Sequence, residues 1–88
     1  MRHYPVKIEH MKEGGFVATF RDLPEAIAYG KTRLDAKENA VYELTAIMHE
    51  CLEFRRAVPP PSDPLAGELL VELTAGAEVL ALLASELL

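Results

Sequence analysis

The N-terminal third of the chain alternates apolar and polar side chains in a way that predicts paired strands. Within residues 4–10, Val6 and Ile8 share one face, because successive side chains of a strand point to opposite sides. Residues 16–20 form a second apolar run, and residues 12–15 between them end in two glycines that can adopt the positive φ angles of a hairpin turn. We therefore expect an antiparallel hairpin.

A third short strand is predicted after a break in the pattern. Pro24 restricts its own backbone and that of the preceding residue, and residues 26–29 are then an apolar run that ends at Gly30. A three-stranded antiparallel meander is the simplest arrangement. Pro5, near the start of the first strand, favours an edge strand or the beginning of a strand.

One long helix, from about residue 33 to 56, is predicted to follow the meander. Thr32 and Asp35 have the spacing of a helix-capping pair, and the chain then runs on without Gly or Pro to position 58. On a helical wheel, one continuous apolar stripe is expected to pack on the sheet; it consists of Leu34, Ala40, Val41, Leu44, Ile47, Met48, Cys51 and Leu52.

The opposite side of this helix is predominantly acidic and is predicted to face water or a partner. It carries Asp35, Glu38, Asn39, Tyr42, Glu43, Ala46, His49, Glu50 and Glu53. Residues three or four apart are neighbours on a helix surface, so a single patch with an aromatic residue near its middle results. The candidate residues for partner binding are Glu38, Tyr42, Ala46, His49 and Glu53.

The C-terminal third predicts a stiff connector, a fourth strand and a second helix. The connector, residues 58–67, is rich in proline and of polyproline type. Residues 68–73 are predicted as a strand, and Thr74 can cap a helix from residue 75 to 88. The predicted fold class is therefore α+β: a meander with one long helix packed on it, then a fourth strand and a C-terminal helix.

The second helix is apolar on nearly all sides, so it is expected to need more cover than a domain of this size provides. We treat residues 1–73 as an α/β domain and residues 74–88 as an oligomerisation element or the start of a DNA-binding module that continues past Leu88. Either way, a homo-oligomer, dimer or tetramer, is expected. The candidate oligomerisation residues are Val79, Leu80, Leu82, Leu83 and Leu87.

Composition and charge narrow the function classes. Eighty-eight residues make one small domain. The net charge of −5 arises in the C-terminal part, because residues 57–88 contain acidic residues but no Lys or Arg. Since the chain has no basic cluster, we do not expect it to bind DNA or RNA by itself. One cysteine, Cys51, and no long apolar run favour a cytoplasmic protein that is neither secreted nor membrane-spanning.

No constellation of catalytic residues stands out. His49 and Cys51 are two positions apart on a helix, which points them in different directions, so neither a metal site nor a cofactor is expected. Cys51 lies on the predicted buried stripe, which leaves its thiol unactivated. The two glycines before Phe16 lack the Lys and Ser or Thr of a phosphate-binding loop.

Four segments together resemble a known family. EGGF at 13–16, DLPEA at 22–26, YG at 29–30 and DAKENA at 35–40 form a combination similar to that of the HicB antitoxins. The resemblance implies a partial RNase H-like fold without catalysis, a HicA-type toxin (a small basic mRNA interferase) as partner, and transcriptional autorepression through a C-terminal DNA-binding module absent from these 88 residues. The alternatives are a stand-alone non-catalytic interaction or regulatory module without a toxin, and a nuclease using Asp22 or Glu38.

Overall fold

The computed structural model describes all 88 residues. Its elements, in chain order, are β1 (His3–His10), β2 (Phe16–Thr19), β3 (Ile27–Gly30), α1 (Arg33–Glu53), β4 (Leu69–Glu72) and α2 (Ala75–Glu86). The four strands form one antiparallel sheet in the order β3-β2-β1-β4. The predicted α+β class, the meander, the fourth strand and both helices are confirmed.

The hairpin between β1 and β2 turns where the sequence predicts it. Gly14 and Gly15 have φ angles of 102° and 79°, and the Met11 N–H donates to the Gly15 carbonyl. Strand β4 pairs with β1 on the other side, with Pro5 opposite Leu70. Strand β1 is therefore central in the sheet, and the prediction of an edge strand is wrong. The alternative prediction is confirmed, because Pro5 lies near the beginning of β1.

Helix α1 packs on the sheet through a stripe rotated from the predicted one. The buried residues are Ala36, Ala40, Leu44, Ile47, Met48 and Cys51. Leu34, expected on the stripe, is 62% exposed, whereas Ala36, which was not expected there, is fully buried. The cause is the close approach of α1 to Gly30: a Cβ on that glycine would lie 2.3 Å from the Ala36 nitrogen, so a small residue must face the strand.

The start of α1 is confirmed, but its end comes three residues earlier than predicted. Thr32 is the N-cap, and its hydroxyl accepts a hydrogen bond from the Asp35 N–H. At the other end, Arg55 adopts a positive φ of 53°, and the Arg56 N–H donates to the Cys51 carbonyl. These two features are typical of a Schellman C-cap, which ends a helix with a left-handed residue.

Helix α2 packs against α1 and adds its buried residues to the core. Thr74 caps it as predicted, with its hydroxyl accepting from the Ala77 N–H. Its buried residues are three alanines, Ala77, Ala81 and Ala84, and they belong to the same core cluster as the sheet and α1. Small side chains let the two helices approach closely, and they leave the larger side chains of α2 on its outer side. Neither helix has the length and hydropathy that a membrane span requires.

Candidate protein-interaction site

The outward side of α1 is where the structure places all five residues predicted to bind a partner. Glu38, Tyr42, Ala46, His49 and Glu53 are exposed, and we call them the α1 outer face. Tyr42, near its centre, is 74% exposed. The buried alanine, leucine and methionine positions of α1 hold the helix on the sheet, so this face is presented on a rigid element.

A groove brings together part of this face. Glu38 and Tyr42, one helical turn apart, line a cavity of about 240 Å³ together with Val41 and Thr74, the cap of α2. Ala46, His49 and Glu53 do not line it. The junction of the two helices thus adds a concave feature that the sequence pattern of α1 alone could not indicate.

The C-terminal helix presents a second exposed surface, which is apolar. Four of the five residues predicted for oligomerisation are exposed, and we call them the α2 outer face: Val79, Leu82, Leu83 and Leu87. The fifth, Leu80, is partly buried and packs against the core of its own chain. Its wheel position next to the alanine stripe explains this, since that side of α2 turns towards α1.

A clasp between two loops is a feature that the sequence analysis missed. Both carboxylate oxygens of Asp22 accept hydrogen bonds from Ser62, one from its N–H at 2.8 Å and one from its hydroxyl at 2.6 Å. Arg21 donates to both oxygens of Glu68 at 3.0 and 3.1 Å. These contacts tie the β2–β3 loop to the proline-rich connector and thereby position β4.

The tyrosine at the start of β1 holds the same connector from the core. Tyr4 is fully buried, and its hydroxyl donates to the Pro59 carbonyl at 2.6 Å. Burial raises the pKa of Tyr4 to about 12, so the hydroxyl remains a donor at any physiological pH. Sequence patterning offered no signal for this contact or for the Asp22 clasp, because the partners are about forty residues or more apart in the chain.

The titratable groups give no indication of an activated catalytic residue. Burial raises the pKa of the Cys51 thiol, and its predicted place on the buried side of α1 is confirmed. Burial by itself would raise the pKa of Asp22, but the hydrogen bonds from Ser62 and the nearby Arg21 outweigh it and hold the pKa below its ordinary value. No three His, Cys, Asp or Glu side chains are grouped as a metal site would require.

Comparison with known proteins decides the family. The family model described as the HicB_like antitoxin of bacterial toxin-antitoxin systems matches residues 3–81. The chain belongs to the HicB-like antitoxin family. Antitoxin HicB 2 of Photorhabdus laumondii subsp. laumondii is 39% identical over 85 residues, and Antitoxin HicB 1 of the same organism is 35% identical over 79 residues. Antitoxin HicB of Escherichia coli K12 is 36% identical over 59 residues.

This HicB-like chain spans little more than half the length of the relatives it matches. The alignments cover 97% of the chain but 59% of HicB 2, and 90% of the chain but 51% of HicB 1. The alignment with the Escherichia coli protein covers 67% of the chain and 43% of that relative. The shared part is therefore the α+β domain described above.

Several residues of the motifs that carry the HicB resemblance have a structural role in this chain. Gly15 adopts a positive φ angle in the hairpin. Gly30 has no side chain, which lets the first turn of α1 pack closely against it. Leu23 is fully buried, and the Asn39 side-chain amide donates to the Tyr29 carbonyl at 2.7 Å. These motif residues therefore help to maintain the fold.

Proposed function

We propose that this chain is an antitoxin that binds a HicA-type mRNA interferase and blocks its access to RNA, without catalysing a reaction itself. The observation that carries the proposal is the α1 outer face, a rigid, exposed surface with two carboxylates, one aromatic ring and no Lys or Arg. The membership of the HicB-like family supports the antitoxin role. We place this activity in the cytoplasm.

Electrostatics explains why such a face suits such a partner. The family resemblance implies a small basic toxin, and a protein that binds RNA presents Lys and Arg to the phosphate backbone. A complementary acidic surface speeds association with those side chains and occupies the site that RNA would use. Asp22, which a nuclease mechanism would require to be free, instead accepts two hydrogen bonds from Ser62.

Complex formation with a toxin is the direct test of the proposal. The chain is mixed with a purified HicA-type protein, the mixture is examined by light scattering and intact mass, and cleavage of an RNA substrate is then assayed. We expect a stable complex in which cleavage is abolished. Failure to form any complex would instead favour the stand-alone interaction module and would remove the antitoxin role.

The same assay locates the interface. Replacing Tyr42 and Glu53 together with lysine puts two positive charges on the α1 outer face, and we expect the dissociation constant to rise by at least about tenfold. Because both side chains are exposed, the circular dichroism spectrum and melting temperature are expected to stay close to those of the parent chain. An unchanged dissociation constant would exclude this face as the toxin-binding site.

We further propose that the chain self-associates through the α2 outer face, and that a form extended by a DNA-binding module takes part in autorepression of its operon. Leu82 and Leu83 are 52% and 45% exposed, which leaves apolar area that a second copy could cover. Replacing both with glutamate is expected to convert an oligomer into a monomer in light scattering at raised protein concentration. A parent chain that is strictly monomeric under those conditions would contradict the assignment.

A further inference from the structure

The three grooves on the surface differ in how their charged side chains are paired. The largest, about 470 Å³, is lined by Lys7, Arg21 and Glu68 among others. Lys7 Nζ lies 3.7 Å from a Glu9 carboxylate oxygen, and Arg21 Nε lies 3.0 Å from a Glu68 carboxylate oxygen. The charges at this groove are therefore already neutralised within the chain.

The second groove, about 360 Å³, carries both signs of charge. Arg2 and His3 line it together with Asp63. Arg2 is paired with Glu78 at 2.7 Å, and His3 lies 3.7 Å from Glu72. A groove of mixed and largely paired charge has no clear preference for a ligand of either sign.

The third groove, between α1 and the start of α2, is different because Glu38 is the only charged residue in its lining. Glu38 takes part in none of the six ion pairs of the chain, and it is exposed. The remaining lining consists of Val41, Tyr42 and Thr74, and the Thr74 hydroxyl is already used to cap α2. The groove thus combines an unpaired carboxylate with an aromatic ring and an aliphatic wall.

These three elements match one kind of side chain. A guanidinium group can stack on an aromatic face while it donates hydrogen bonds to a carboxylate, and its aliphatic stem packs against apolar neighbours. Glu38 and Tyr42 stand at i and i+4, so the carboxylate and the ring are adjacent on the helix surface. Arginine suits this arrangement better than lysine, because its charge is planar and more weakly hydrated.

We propose that the groove formed by Glu38, Val41, Tyr42 and Thr74 receives an arginine side chain of a protein partner. The identity of that partner as a toxin rests on the proposed function, whereas the preference of the groove for arginine does not. Asp35, about one turn before Glu38 on the same helix, adds to the negative potential around the groove.

Small arginine probes test the groove without any toxin. N-acetyl-arginine amide is titrated into the 88-residue chain, and the backbone amides are followed by proton–nitrogen NMR. We expect a saturable shift at Glu38, Tyr42 and Thr74. The neutral isostere N-acetyl-citrulline amide is expected to shift the same amides far less. Equal shifts with both probes, or shifts located elsewhere, would overturn the proposal.

Variants connect the groove to the partner. Glu38→Gln removes the charge and keeps the shape, and it is expected to abolish the arginine-dependent shifts and to weaken binding of a purified HicA-type toxin about tenfold. Tyr42→Leu removes the aromatic ring, and it is expected to reduce the arginine-dependent shifts and to weaken toxin binding. The matched control is Glu25→Gln, an exposed acid in the β2–β3 loop, which is expected to change the toxin affinity by no more than about twofold.

The two proposals fail in different ways. If the toxin binds the parent chain and Glu38→Gln equally well, the groove assignment is wrong and the antitoxin role stands. If no toxin binds while N-acetyl-arginine amide still shifts the groove amides, the toxin assignment is wrong and the arginine site stands.

Discussion

Replacing Gly30 with alanine is expected to lower the free energy of unfolding by about 3 kcal/mol, a large share of the roughly 5–15 kcal/mol that stabilises a domain. An added Cβ would lie 2.3 Å from the Ala36 nitrogen and 2.6 Å from two Asp35 atoms. Two of these three atoms belong to the backbone of the first turn of α1, so a side-chain rotation cannot relieve the contact. The helix would have to move off β3, and the core between them would loosen.

Thermal and urea unfolding measure this effect directly, and Gly76 provides a control. Gly76 lies in the first turn of α2, where an added Cβ meets nothing within 4 Å. Gly76→Ala is therefore expected to stabilise the chain by about 0.5–1 kcal/mol through better helix propensity. For a chain of this size, the Gly30→Ala variant should melt roughly 15 °C lower. A melting temperature within a few degrees of the parent would show that α1 does not approach β3 this closely.

Breaking the clasp between Asp22 and Ser62 is expected to be the second largest effect. Asp22→Ala removes the acceptors of two hydrogen bonds, one from a backbone N–H and one from a hydroxyl. Hydrogen bonds to a charged group contribute more than neutral ones, and we expect a loss of about 2–3 kcal/mol. The connector would then be held by Tyr4 and Arg21, so β4 and α2 should become the most mobile elements.

A double-mutant cycle with Ser62→Ala separates the clasp from other roles of Asp22. If the two residues act through each other, the double variant should lose less stability than the sum of the single variants. Additive losses would mean that Asp22 stabilises the fold in another way. Hydrogen exchange of the β4 amides provides an independent readout of connector mobility.

The pH dependence of the clasp follows from the lowered pKa of Asp22. Because the folded state holds the carboxylate ionised more strongly than the unfolded state does, the contribution is complete above the unfolded value near 3.8 and is lost as pH falls through the lower folded value. The stability difference between the parent and Asp22→Asn should therefore shrink below about pH 4. A difference that stays constant with pH would rule out ionisation of Asp22 as its cause.

The amino-acid sequence alone determined the elements and much of their order. Alternation predicted the first strand, and short apolar runs predicted the second and third. The paired glycines predicted the hairpin turn, and Thr32 and Thr74 predicted the helix starts. Each signal depends on residues within a few positions of one another. The exposure of the α1 outer face was likewise predictable, since helical periodicity places Glu38, Tyr42 and their neighbours opposite the apolar side.

Only the tertiary structure decided which residues of α1 are buried against the sheet and where a groove forms on the surface. The approach of α1 to Gly30 buries Ala36 and exposes Leu34, and a left-handed Arg55 ends the helix early. The pairing of β4 with β1 and the contact of Asp22 with Ser62 join residues far apart in the chain. The groove lined by Glu38, Tyr42 and Thr74 exists only where α2 meets α1. Such features depend on packing between elements. The packing energy is a sum over contacts between residues far apart in the chain, so it produces no local pattern in the sequence.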